Sequence, residues 1–274
     1  MKKNIFTITL LLLIALNAIA QNNYIVKDLN GPSGIIQYEN NLYIAEWNGG
    51  KISKLDLTIK DAPVEEYISN LITPSDMVLY KNYIYFAEGK ANRISRIDIS
   101  KINPIREDVT TDIISPSSLA LHNDELYVRE EQAKRIVKIN LTKERPKVFE
   151  VVRNLKSFYG GMIFIDNTLY ISETQSQKIV TLNVSDNSKT LKDVYTGLNG
   201  PIGMETFGHY LYIANAYEGS VLKINLKNQE EAKVKVATGL NFPLELYVYN
   251  SELFIVEHTP VPGGKISKIN LLKA

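Results

Sequence analysis

The sequence predicts an all-β fold: a six-bladed β-propeller of four-stranded antiparallel blades, closed by an amino-terminal strand that completes the sixth blade. Three observations predict it. A motif of the Leu-Tyr-Ile-x-Glu type begins at Leu42, Ile84, Leu126, Leu169, Leu211 and Leu253, in steps of 42, 42, 43, 42 and 42 residues. Ten residues before each start stands Pro32, Pro74, Pro116, Tyr159, Pro201 or Pro243. Turn pairs (Glu39-Asn40, Lys81-Asn82, Asn123-Asp124, Asp166-Asn167, Gly208-His209, Asn250-Ser251) cut every unit a few residues after that landmark.

A period near 42 suits either propeller blades or paired-helix repeats. The turn pairs decide, because no helix of ten residues fits between them, whereas strands of five or six do. The segments are rich in Ile, Val, Leu and Tyr, which suit a pleated sheet. "LYIAE" is apolar on both parities, as expected of a middle strand covered on each face by a neighbouring blade. The last unit stops after its third strand, "KISKINLLKA", while a spare strand, "YIVKDL" (24–29), precedes the first unit. That spare strand is expected to close the circle, which removes exposed sheet edges.

The domain plan is a secretory signal over residues 1–20 and one propeller over 21–274. "MKKN" is a basic start, "IFTITLLLLIALNAIA" an apolar run, and Ala18-Ile19-Ala20 a small-residue cleavage site. The mature chain is expected to be secreted or periplasmic, monomeric, and free of the membrane. A formal net charge of +1 gives no reason to expect nucleic acid. With no cysteine, ring closure must be non-covalent and no thiolate metal site exists.

The run Leu-Tyr-Ile-Ala-Glu, then Lys/Arg-Ile, then Leu-Asp-Leu resembles the NHL and YWTD-type repeats and the regucalcin/gluconolactonase-like six-bladed propellers. The resemblance spans all six units and implies architecture more than activity. It also implies that the prolines and the Glu46 row surround one mouth of the central channel. Gluconolactonase-like members hold a divalent metal there through Asn and Asp directly after the proline. This chain has Ser33, Ser75, Ser117, Gly160, Ile202 and Leu244 at those positions. Hence no cofactor and no resident metal are expected, and a divalent cation such as calcium would have only Asp76 and Glu245, one position further on, to hold it.

Glu46, Glu88, Glu130, Glu173, Asn215 and Glu257 recur in every unit, so they read as architectural acceptors for amides of the adjoining turns. Departures from the repeat carry more information. Arg129 replaces small residues such as Ala45 and Ala87, and Glu205 replaces Ile36, Val78, Ala120 and Ile163 on an inner strand. Trp47, Tyr217 and His258 follow the glutamate row on loops, and the sixth unit carries an insertion, "HTPVPGG". The candidate ligand-binding set is therefore Asp76, Arg129, Glu205, Glu245, Trp47, Tyr217 and His258. Catalytic residues are not assignable, since no Gly-x-Ser-x-Gly, His-Glu-x-x-His or phosphate loop occurs. The expected function is an exported binding module recognising a small molecule or protein at the channel mouth. The second reading is a metal-dependent lactonase or related hydrolase. Asn140-Leu-Thr and Asn183-Val-Ser match glycosylation acceptors.

Overall fold

The computed structural model describes residues 24–186, 189–228 and 230–273. The expected signal lies outside the described residues. Among the described residues, twenty-four strands form six four-stranded antiparallel sheets, with only two 3-10 turns, Gly89–Ala91 and Ala216–Glu218, between them. The first blade consists of Pro32–Tyr38, Asn41–Glu46, Lys51–Asp56 and Glu65–Ile68, and the next four repeat this order. The first strand of each blade neighbours the first strands on either side, and those of blades six and one also meet, so the ring is closed.

In the sixth blade the fourth strand is Tyr24–Asn30, antiparallel to Pro262–Asn270, as the sequence predicts. Its apolar residues Val26 and Leu29 join Ile35, Leu42, Ile44, Phe254 and Ile266 in the core between blades six and one. Each junction between adjacent blades holds such a cluster. The middle strands are therefore buried on both faces, which is why "LYIAE" shows no alternation.

The pairings Pro32↔Glu46, Pro74↔Glu88, Pro116↔Glu130, Pro201↔Asn215 and Pro243↔Glu257 bring the landmarks and the glutamate row to one mouth. Each glutamate-row side chain accepts a backbone N–H from sixteen residues upstream, in the segment that enters its own blade. The donors are Asn30, Ile72, Ile114, Ser157, Asn199 and Asn241. Ser53, Ser95, Arg135 and Ser267 donate to the carboxylates of Glu46, Glu88, Glu130 and Glu257. The row is architectural, and Asn215 suffices in blade five because only an acceptor is needed. One detail differs from expectation, since the donors belong to the incoming segment and not to the turn that follows.

The opposite face carries another repeated device. Asp56, Asp98, Asn140, Asn183, Asn225 and Asn270 each accept the backbone N–H two residues later, forming Asx turns after the third strand. The two glycosylation-like triplets are instances of this turn, and the hydroxyl of Thr142 bonds Asn140 itself.

Candidate functional site

The residues directly after the prolines, where the resemblance implies metal ligands, are used to join blades. Ser33 Oγ donates to Pro74 O at 2.9 Å and Ser75 Oγ to Ser117 O at 3.0 Å. In blade four the task passes to Thr174, whose Oγ1 donates to Pro201 O at 2.8 Å. One position further on, Gly34, Asp76, Ser118, Gly161, Gly203 and Glu245 form the next layer of the channel. Adjacent inner strands approach closely here. A Cβ on Gly34 would lie 2.3 Å from Ser75 O, and one on Gly203 would lie 2.9 Å from Glu245 Oε1.

Asp76 and Glu245 do come together in the channel, and Glu205 joins them. Asp76 accepts N–H groups of Met77 at 2.7 Å and, across the blade junction, Leu119 at 2.8 Å. Glu205 accepts Thr206 N–H at 2.7 Å and Glu245 accepts Leu246 N–H at 3.0 Å. All three retain partial solvent access while protein surrounds them, the environment of a narrow wet channel. Loss of hydration on burial, opposed by amide hydrogen bonds and, at Asp76, by the Ser118 hydroxyl, pushes Asp76 up to about 6 and Glu205 up to about 7. Burial, and then the negative charges of Asp76 and Glu205, raise Glu245 well above the carboxylate range. Among the described residues, no lysine or arginine acts on any of the three.

These shifts have a stability consequence. Each acid binds its proton more tightly in the folded chain than in the unfolded one, so stability falls as pH rises from about 4 to about 7. Glu205→Gln keeps an acceptor and removes the ionisation. It is expected to melt higher than the parent chain at pH 8, by up to about 3 kcal/mol, and to show no such advantage at pH 5. Thermal unfolding at both pH values checks this. Equal destabilisation at both would mean that the carboxylate is ionised and held by its amide bonds.

Arg129 requires a correction. It does not join Glu205 in the channel: its side chain is fully buried at the junction of blades three and four. Nη1 donates to Ser172 O at 3.0 Å and Nη2 to Ser157 O at 2.7 Å, while Nε has no partner. Blade four explains the placement. It lacks the proline, its inner strand is reduced to Met162–Ile165, and Gly160 leaves the space into which Nη1 reaches. Burial lowers the guanidinium to about 10, although Glu173 and Glu131 favour its charge. A ligand at the mouth does not meet this side chain.

Tyr217 and His258 are brought into one cluster by Phe242, which the sequence reading missed. Ring centroids are 6.2 Å apart for Tyr217–Phe242 and 6.4 Å for Phe242–His258. The Tyr217 ring lies directly over Gly200, whose missing side chain makes the room. His258 Nδ1 sits 2.9 Å from Pro32 O, and Asn48 Nδ2 donates to Pro260 O, so the insertion braces blade six against blade one. Trp47 stands apart from that cluster, half-buried beneath the Lys90 ammonium, 4.7 Å from its ring centroid. The missed signal was Phe242 itself, a bulky residue with φ 48° at a position where blades one and five have Gly31 and Gly200. His122 stacks on Phe164, with ring centroids 4.4 Å apart, near the opposite face.

The donor set does not fit a gluconolactonase-like metal. The Ser33 and Ser75 hydroxyls bond carbonyls, and Asp76 uses both oxygens on amides and Ser118. Among the described residues, no three His, Asp or Glu converge as a metal site.

No protein-family model and no curated protein matches the chain. Solved structures do. Virginiamycin B lyase from Staphylococcus aureus is 20% identical, with 86% of this chain and 80% of that one covered and a TM-score of 0.63. A luciferin-regenerating enzyme is 11% identical over 90% and 94% of the two chains, with a TM-score of 0.72. An auxiliary nutrient binding protein from Bacteroides ovatus is 10% identical over 88% and 70%, with a TM-score of 0.71. At these identities the likeness shows the fold. The class is thus the six-bladed propeller, a scaffold shared by enzymes and binding proteins.

Proposed function

We propose that this chain is an exported binding protein that holds a cationic group of its ligand in the channel mouth. The observation that supports it is the set of Asp76, Glu205 and Glu245, three carboxylates facing one channel without a counter-cation, beneath the Tyr217–Phe242–His258 rim. A desolvated ammonium would relieve the repulsion among the acids and could lie against aromatic faces at the entrance. Export rests on the leader-like residues 1–20. The likeness to an auxiliary nutrient binding protein is compatible with this reading, and the likeness to lyases and a luciferin-regenerating enzyme is fold kinship.

Benzylammonium is a suitable probe. Saturation-transfer NMR should detect it on the parent chain, with an affinity on the order of millimolar, and the Glu245→Gln variant should lose most of the signal. Calcium is expected to give no stoichiometric heat in calorimetry. Tight binding of one calcium per chain, with no benzylammonium signal, would overturn the proposal in favour of a metal-dependent hydrolase.

A further inference from the structure

Large apolar side chains stand exposed where the chain enters the blades around this mouth. Ile72 and Ile114 are 47% and 46% exposed, Phe158 and Tyr159 are 47% and 54%, Tyr217 is 52% and Phe242 is 36%. They stand at the entries of blades two, three, four and six, and Tyr217 covers the entry of blade five at Gly200. An apolar collar of this kind on a soluble ring marks an interaction surface. Phe242 stands there at φ 48°, in the left-handed region that Gly31 and Gly200 adopt in blades one and five and Thr73 and Ser115 in blades two and three.

Charge decides what the collar fits. Its centre holds the three acids Asp76, Glu205 and Glu245, on which no lysine or arginine among the described residues acts. Lys90 and Lys134 lie over the rings of Trp47 and Phe158, already engaged as cation–π partners. A small amine would satisfy the channel acids and leave the collar exposed. Resting on the reading of the mouth as a cation site, we propose that the natural ligand is a segment of a protein partner that inserts one lysine or arginine side chain into the channel while flanking apolar residues cover the collar. An alkyl stem followed by a charged head is the shape that an apolar rim above buried acids accepts.

Calorimetry with three synthetic peptides tests this: acetyl-Leu-Phe-Lys-Leu-Phe-amide, the same sequence with norleucine for lysine, and the same with glutamate. The lysine peptide should bind at least ~100-fold more tightly than benzylammonium, and the norleucine and glutamate peptides at least ~10-fold more weakly than the lysine peptide. Tyr217→Ala and Phe242→Gly should each weaken the lysine peptide by ~10-fold while leaving the melting temperature near that of the parent. If benzylammonium binds and the lysine peptide binds no better, the mouth takes a free small cation and this inference fails while the cation-site reading stands. If the norleucine peptide binds as well as the lysine peptide, the inserted charge is wrong. If neither benzylammonium nor the lysine peptide binds, both readings fall.

Discussion

A chain that begins at Gly31 should aggregate on purification, or melt at least about 15 °C below one that begins at Tyr24. The strand Tyr24–Asn30 is the outer member of blade six and the only partner on that side of Pro262–Asn270. Its removal exposes Val26 and Leu29 contacts worth about 2 kcal/mol each, before any backbone pairing is counted. It also takes the Asn30 N–H from the buried carboxylate of Glu46, whose desolvated oxygen then has no amide donor. The bared third strand is nine residues long and becomes an open edge. Addition of a synthetic peptide spanning 24–30 should restore part of the lost melting temperature, because closure is non-covalent. Size-exclusion chromatography and thermal unfolding measure both effects. A chain from Gly31 that stays monomeric and melts within about 2 °C of the longer one would show that the ring does not depend on this strand.

The architecture was legible because two landmarks kept one register through six units, and each landmark has a repeated physical task. The proline starts an inner strand, and the Glu46-type side chain fourteen residues later holds the incoming segment. A contact made in every blade leaves a periodic trace. The site leaves none, since it consists of exceptions. Glu205 stands out on an inner strand, and Glu245 lies within electrostatic reach of both Glu205 and Asp76. Arg129 stands out equally, yet its destination depends on a second exception in the next blade, where Tyr159-Gly160-Gly161 replaces the usual start. The two departures compensate one another, and read singly they suggest a ligand. Phe242 was hidden for another reason. Its backbone, φ 48°, follows the left-handed pattern of Gly31, Thr73, Ser115 and Gly200 at the same register, so nothing periodic announces the ring it carries.

That account of Arg129 sets the second large effect. Arg129→Ala should destabilise the chain by about 3 to 5 kcal/mol, which for a ring of this size lowers the melting temperature by roughly 10 °C. Blades one, two and five have Ala45, Ala87 and Ala214 at this position, but the blade that follows each begins with the ordinary proline start. Here the guanidinium fills the space beside Gly160 and donates to the carbonyls of Ser157 and Ser172. Alanine would leave a cavity and two buried acceptors with one donor fewer each. Arg129→Lys should recover little, because one ammonium on a flexible stem does not reproduce a planar fork that spans two carbonyls. Ligand binding at the mouth should be unchanged in whatever fraction of either variant remains folded. The opposite pattern, an Arg129→Ala chain that melts like the parent and no longer binds benzylammonium, would return Arg129 to the ligand site. Thermal unfolding combined with the NMR titration separates the two, since a brace between blades three and four changes the first measurement and a ligand contact changes the second.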